Sequence, residues 1–120
     1  MSSERCKAAL DALKSGSMPL VIDAVIRADN ALLMLDALKD PFTDALCVVM
    51  YAGRDEFNDG HPYDKLDIDT QFAEWWDYLT MEGESFAREQ MASKAPLASY
   101  LRWGAYMFHI EIAAGAADKE

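Results

Sequence analysis

PFTDALCVVMYAG, residues 41–53, decides the fold class of this chain. Its inner octet, ALCVVMYA, is apolar without a break. Such a run suits a strand buried on both faces as well as a helix buried all round. Two observations favour the helix. Asp40-Pro41 sets a capping residue ahead of a proline, which is a helix start signal. The flanking segments also read as helices, so a strand here would have nothing to pair with, and its backbone donors and acceptors would be buried unmatched. As a helix the segment turns Phe42, Leu46, Val49 and Met50 inward.

The rest of the chain agrees with an all-α reading. Residues 3–14, SERCKAALDALK, have Ser3 as an N-cap, and Cys6, Ala9, Leu10 and Leu13 share one face. Gly16 ends that helix. Ser17-Met18-Pro19 opens the next one. The run from Leu20 to Asp40 is apolar almost all round, and predicts either one long buried helix or a break at Asp29-Asn30, both good caps. Asn, Asp, Gly and Pro cluster at 54–68, RDEFNDGHPYDKLDI, and predict a long loop.

Asp69-Thr70 then cap TQFAEWWDYLTME, with Phe72, Trp75, Trp76 and Leu79 on the inner face. The opposite face takes Gln71, Glu74, Asp77, Tyr78 and Met81, and Gly83 stops the helix. ESFAREQMASK predicts a short helix. PLASYLRWGAYMFHIEIAA, from Pro96, predicts a last one with two apolar stripes, Leu97, Leu101, Gly104, Phe108 and Ile112 on one side and Trp103, Met107, Ile110 and Ala114 on the other. A helix apolar on two sides is central in its bundle or packs on a second copy. The expected fold is therefore a single all-α domain over residues 1–120, a compact bundle of five to six helices with one acidic loop at about residues 54–68.

Charge is the second informative feature. The chain carries −10, and residues 55–84 hold ten acids against one base, Lys65. That segment alone accounts for −9, so the other ninety residues are nearly balanced. Direct nucleic-acid binding needs the opposite sign, and anionic membranes are disfavoured for the same reason. No stretch is apolar enough to span a bilayer, the N-terminal segment lacks the apolar region of a signal peptide, and two isolated cysteines do not make a disulfide framework. These features point to a cytoplasmic protein.

Motifs for chemistry are missing. DEFNDGHPYDKL, counted from Asp55 as position 1, resembles a calcium loop at Asp59 and Gly60. Phe57 and Leu66 stand where liganding residues belong. His61 and His109 are far apart and have no cysteine pair to complete a zinc site, and His109-Ile110-Glu111 lacks the cysteine partner of the zinc deaminases. No nucleophile elbow or phosphate-binding glycine loop is present. Cys47 sits in an apolar run, where thiols are inert packing. The expectation is a protein with no metal, no cofactor and no enzymatic activity.

Aromatics among bases would suggest stacking on single-stranded nucleic acid. Here they stand among acids. Tyr and Met at the centre of a patch with charges around it is the composition of a protein contact surface. The expected partner is a basic, nucleic-acid-handling protein, bound through Asp64, Asp67, Asp69, Glu74, Asp77 and Tyr78, with Glu82 and Glu84 beside them. Two roles fit: a phage-encoded, anti-CRISPR-like inhibitor acting as a nucleic-acid mimic, or an immunity protein or antitoxin against a nuclease toxin. The alternative is a homodimeric structural or assembly protein whose dimer face is Trp103, Met107 and Ile110, the acidic segment being only a solvated face. A third reading, a small-molecule enzyme or sensor, requires a pocket among Trp75, Trp103, Tyr106 and His109.

Overall fold

The computed structural model describes residues 3–59, 67–94 and 96–113, and among them every regular element is a helix. They are α1 (Glu4–Leu13), α2 (Met18–Arg27), α3 (Ala31–Asp36), α4 (Asp40–Asp59), α5 (Ile68–Met81), α6 (Arg88–Ala92) and α7 (Leu97–Met107). The all-helical bundle expected from the sequence is the fold.

The caps explain most boundaries. Ser3 Oγ accepts from Cys6 N–H at 3.0 Å and starts α1. Asn30 Oδ1 accepts from Leu33 N–H at 3.1 Å, so the long apolar run breaks into α2 and α3. Arg88 then fixes the far end of α3. Its guanidinium donates to Leu35 O at 2.9 Å and Leu38 O at 3.0 Å, and pairs with Asp40 at 2.8 Å. One side chain thus satisfies a terminal carbonyl of α3 and one in the turn after it, and ties them to the start of α4 and to α6.

The segment that decides the fold class is the centre of the molecule. Residues 43–53 of α4 are buried without interruption, which is why the octet lacks helical periodicity. α4 packs on α1 and, most extensively, on α7. Gly53 and Gly104 meet where α4 and α7 cross, bringing the two backbones into contact.

Several boundaries differ from expectation. α4 runs on through Asp59, so the expected loop begins at least six residues later than 54. Turn-forming residues lower helix propensity by only tenths of a kcal/mol each, and a helix already packed on one side extends through them. α5 begins at Ile68 with Asp67 in the N-cap position, where Asp69-Thr70 were the expected caps. α7 ends at Met107, short of the expected end near Ala114. His109 has φ +58°, Ile110 N–H donates to Ala105 O at 2.8 Å, and His109 N–H donates to Tyr106 O at 3.1 Å. This is a Schellman closure with histidine in the left-handed position that glycine usually holds. It sends Ile110 and Ile112 back against the core as non-helical chain.

Candidate functional site

The acidic segment is presented by α5. Phe72, Trp75, Trp76 and Leu79 are all buried, as their spacing predicts. Ring packing anchors them: Trp76 lies 4.8 Å from Phe86, 6.1 Å from Phe72, and Phe72 lies 6.2 Å from Phe108 of the segment after α7. The outward face carries Glu74, Asp77, Tyr78 and Met81, all exposed. Met81 is 83% exposed and Tyr78 36%, which makes them an apolar pair in a ring of carboxylates. Tyr78 is held edge-on to Trp75 at 6.0 Å, so its position is set from below.

The other expected contact residues divide. Asp67 and Glu82 flank the helix and are exposed. Asp67, Glu74, Asp77 and Glu82 have no ion-pair partner among the described residues. Asp69 is occupied: Lys14 Nζ lies 2.9 Å from its Oδ1. Both partners are over half exposed, so the pair is weak and exchangeable. Glu84 is turned inward, 3.8 Å from Arg54 Nη2 and beside Tyr51. It also closes the end of α5, its N–H donating to Leu79 O at 3.0 Å next to Gly83 at φ +75°. Asp64 lies outside the described residues, as do His61 and most of the calcium-like loop.

Gln71 departs from expectation. It is 1% exposed, and its Nε2 donates to Met107 O at 3.5 Å, joining α5 to the end of α7. A polar residue one turn into an amphipathic helix reads as surface. Only the approach of α7 supplies it with a buried partner.

The α7 residues are largely covered. Met107 is 6% exposed, and Trp103 and Ile110 are half-buried, Ile110 because the chain turns back at His109. Tyr106, 56% exposed and edge-on to Trp103 at 6.0 Å, is the outward aromatic of this helix. The pocket expected among Trp75, Trp103, Tyr106 and His109 does not form as a set. Trp75 is in the core beneath α5, and the cavity that Tyr106 and His109 line has neither tryptophan in its wall.

Cys47 is fully buried, and burial, reinforced by the negative charge of Asp44, pushes its thiol up to about 12. Tyr51 is pushed up to about 12 by burial and then by Glu84. A thiol held protonated this firmly is no nucleophile at neutral pH. Both groups keep protons in the folded state that the unfolded chain releases from about pH 9 and 10. Above that point the unfolded state binds fewer protons, so stability falls as pH rises. The melting temperature is expected to be flat from pH 7 to about 9 and to drop steadily beyond it. Cys47→Ala delays the onset towards the tyrosine range. A melting temperature unchanged up to pH 11 would contradict both assignments.

Among the described residues no group of three or more His, Cys, Asp or Glu is placed to hold a metal ion, and no helix is long and apolar enough to cross a membrane. No family model, no curated protein and no solved structure matches the chain.

Proposed function

We propose that this protein is a non-enzymatic binding protein whose α5 face covers a basic, nucleic-acid-handling surface on a partner protein. The observation that carries the reading is the exposed pair Tyr78 and Met81 beside Asp67, Glu74, Asp77 and Glu82, carboxylates that no lysine or arginine among the described residues engages. From Asp67 to Glu82 these acids follow a helix about 22 Å long. A rigid row of carboxylates can occupy positions that phosphates would take, and complementary potentials speed association.

The placement of the acids supports the same reading. Glu82 lies at the C-terminal end of α5, where the helix dipole disfavours negative charge, and the last turn holds no base. A helix face shaped for stability alone would carry the opposite sign there. Either inhibition of a phage-restricting, anti-CRISPR-target type of complex or neutralisation of a nuclease toxin fits this chemistry. The homodimer alternative has less support, because Met107 is buried and Ile110 is folded onto the core.

The test is capture from a bacterial lysate at low and high salt by the parent chain and by Asp67→Asn/Glu74→Gln/Asp77→Asn. The parent is expected to retain a basic, nucleic-acid-handling protein, more weakly as salt rises. The triple variant should lose at least about tenfold in affinity and most of the salt dependence. Tyr78→Ala/Met81→Ala should weaken capture while leaving the salt dependence intact. Equal retention by the parent and the charge-neutralised chain would remove the reading.

A further inference from the structure

The chain has five arginines, and four of them reach a carboxylate: Arg5 on Asp44, Arg27 on Asp23, Arg54 on Asp55 and Arg88 on Asp40. Arg102 has no such partner among the described residues, in a chain with 21 acids. Its Nε is shielded from solvent and makes no hydrogen bond among the described residues. An enclosed guanidinium N–H without an acceptor is rare, because a buried donor left unmatched is costly.

Arg102 lines a cavity of about 460 Å³. The chain that turns back after α7 also lines it, with Ile110 and Ile112 partly buried and His109 and Glu111 exposed. Tyr106 stands at the edge, positioned by Trp103. His109, at φ +58°, is the residue at which the chain turns to bring Ile110 and Ile112 into this lining. The volume is within the range of small-ligand pockets, and a few polar groups on largely apolar walls is the usual lining of such sites.

We propose that this cavity binds a small organic carboxylate, the carboxylate on Arg102 and an apolar or aromatic body against Ile110, Ile112 and the ring of Tyr106. A guanidinium presents parallel N–H groups that match the two oxygens of a carboxylate. A single negative charge suits the site better than a phosphate dianion, because Glu111 is in the wall and the chain as a whole carries −10. No bond is made or broken. The site lies on the last helix and the chain after it, so it stands independently of the acidic face of α5.

The experiment is an NMR titration of the full chain with sodium benzoate, and separately with sodium phosphate and sodium chloride at matched ionic strength. The Arg102 Nε–H signal and the Ile110 and Ile112 methyl signals are followed. Benzoate is expected to shift all of them saturably with one half-saturation point, and phosphate and chloride to give only small linear drifts. Arg102→Gln should raise the benzoate half-saturation point, read from the methyls, by at least about tenfold. Arg102→Lys keeps the charge, loses the fork and should weaken binding as well. It also serves as the second variant if the glutamine chain melts early. Equal benzoate binding by parent and both variants overturns the proposal. Phosphate saturating the site as well as benzoate overturns the assignment of an apolar body. An Arg102 signal that moves with protein concentration in the absence of ligand overturns it too, and puts a second copy of the chain in the cavity.

Discussion

Gly104→Ala is expected to destabilise the protein by more than about 3 kcal/mol, at or beyond the upper end of ordinary overpacking. A Cβ at this position would lie 2.6 Å from Val49 Cγ1 and closer still to Val49 O. At the reciprocal position, a Cβ on Gly53 would lie 2.7 Å from Gly104 N and closer still to Tyr100 O. The closest obstacles at both positions are helix backbone, which cannot rotate aside as a side chain can. Relief requires α4 and α7 to separate along their whole contact, and that opens voids around Leu46, Val49, Leu101 and Ala105, all buried. Intrinsic helix propensity has the opposite sign, because alanine is favoured over glycine in a helix interior by about 1 kcal/mol. The experiment therefore separates the two effects. Urea denaturation of Gly104→Ala and Gly53→Ala should show large losses, and Gly16→Ala, where nothing lies within 4 Å, should show almost none. A Gly104→Ala chain as stable as the parent would mean that the helices do not cross this closely.

Arg5→Ala is the second large effect. Asp44 is 4% exposed, on the central helix, and Arg5 holds it in a two-point pair, Nε to Oδ2 at 2.8 Å and Nη2 to Oδ1 at 3.0 Å. The guanidinium also lies over Phe86 at 5.4 Å and Trp76 at 6.0 Å. Removing it strands a buried carboxylate that no other base pairs with among the described residues. Breaking a fully buried pair costs ~3–5 kcal/mol, and because the Arg5 side chain is 61% exposed we expect about 2–3 kcal/mol here. Arg5→Lys should recover only part, since a single ammonium cannot reproduce the fork. Asp44→Asn in the Arg5→Ala background should regain stability, because it removes the stranded charge. A double-mutant cycle in urea reads all of this. A loss below about 0.5 kcal/mol for Arg5→Ala would place the pair with ordinary surface ion pairs.

What was legible in the sequence follows from where the decisive interactions lie. The faces of α1 and α5 were readable because each has one side on the core and one in water, and periodicity records that division. Tyr78, Met81, Glu74 and Asp77 fell on the outer face of α5 for the same reason. α4 gave no period because it has no outer face over residues 43–53. Only the Asp40-Pro41 start signal and the lack of a strand partner argued for helix there. The contact row was legible as a run of acids, but not its two departures. Asp69 meets Lys14 and Glu84 meets Arg54 across 55 and 30 positions of chain, distances no local pattern encodes.

The sequence by itself determined the helical class, the cap at Ser3, the inner aromatics of α5 and the segregation of negative charge, because each is set within a turn or two of chain, whereas at Asn30 it left a long helix and a break both open. Tertiary structure alone decided the rest. The burial of Gln71 against Met107 and the pairing of Arg5 with Asp44 depend on segments far apart in sequence. Each is set by contacts between elements, which the local alternation of apolar and polar residues does not record.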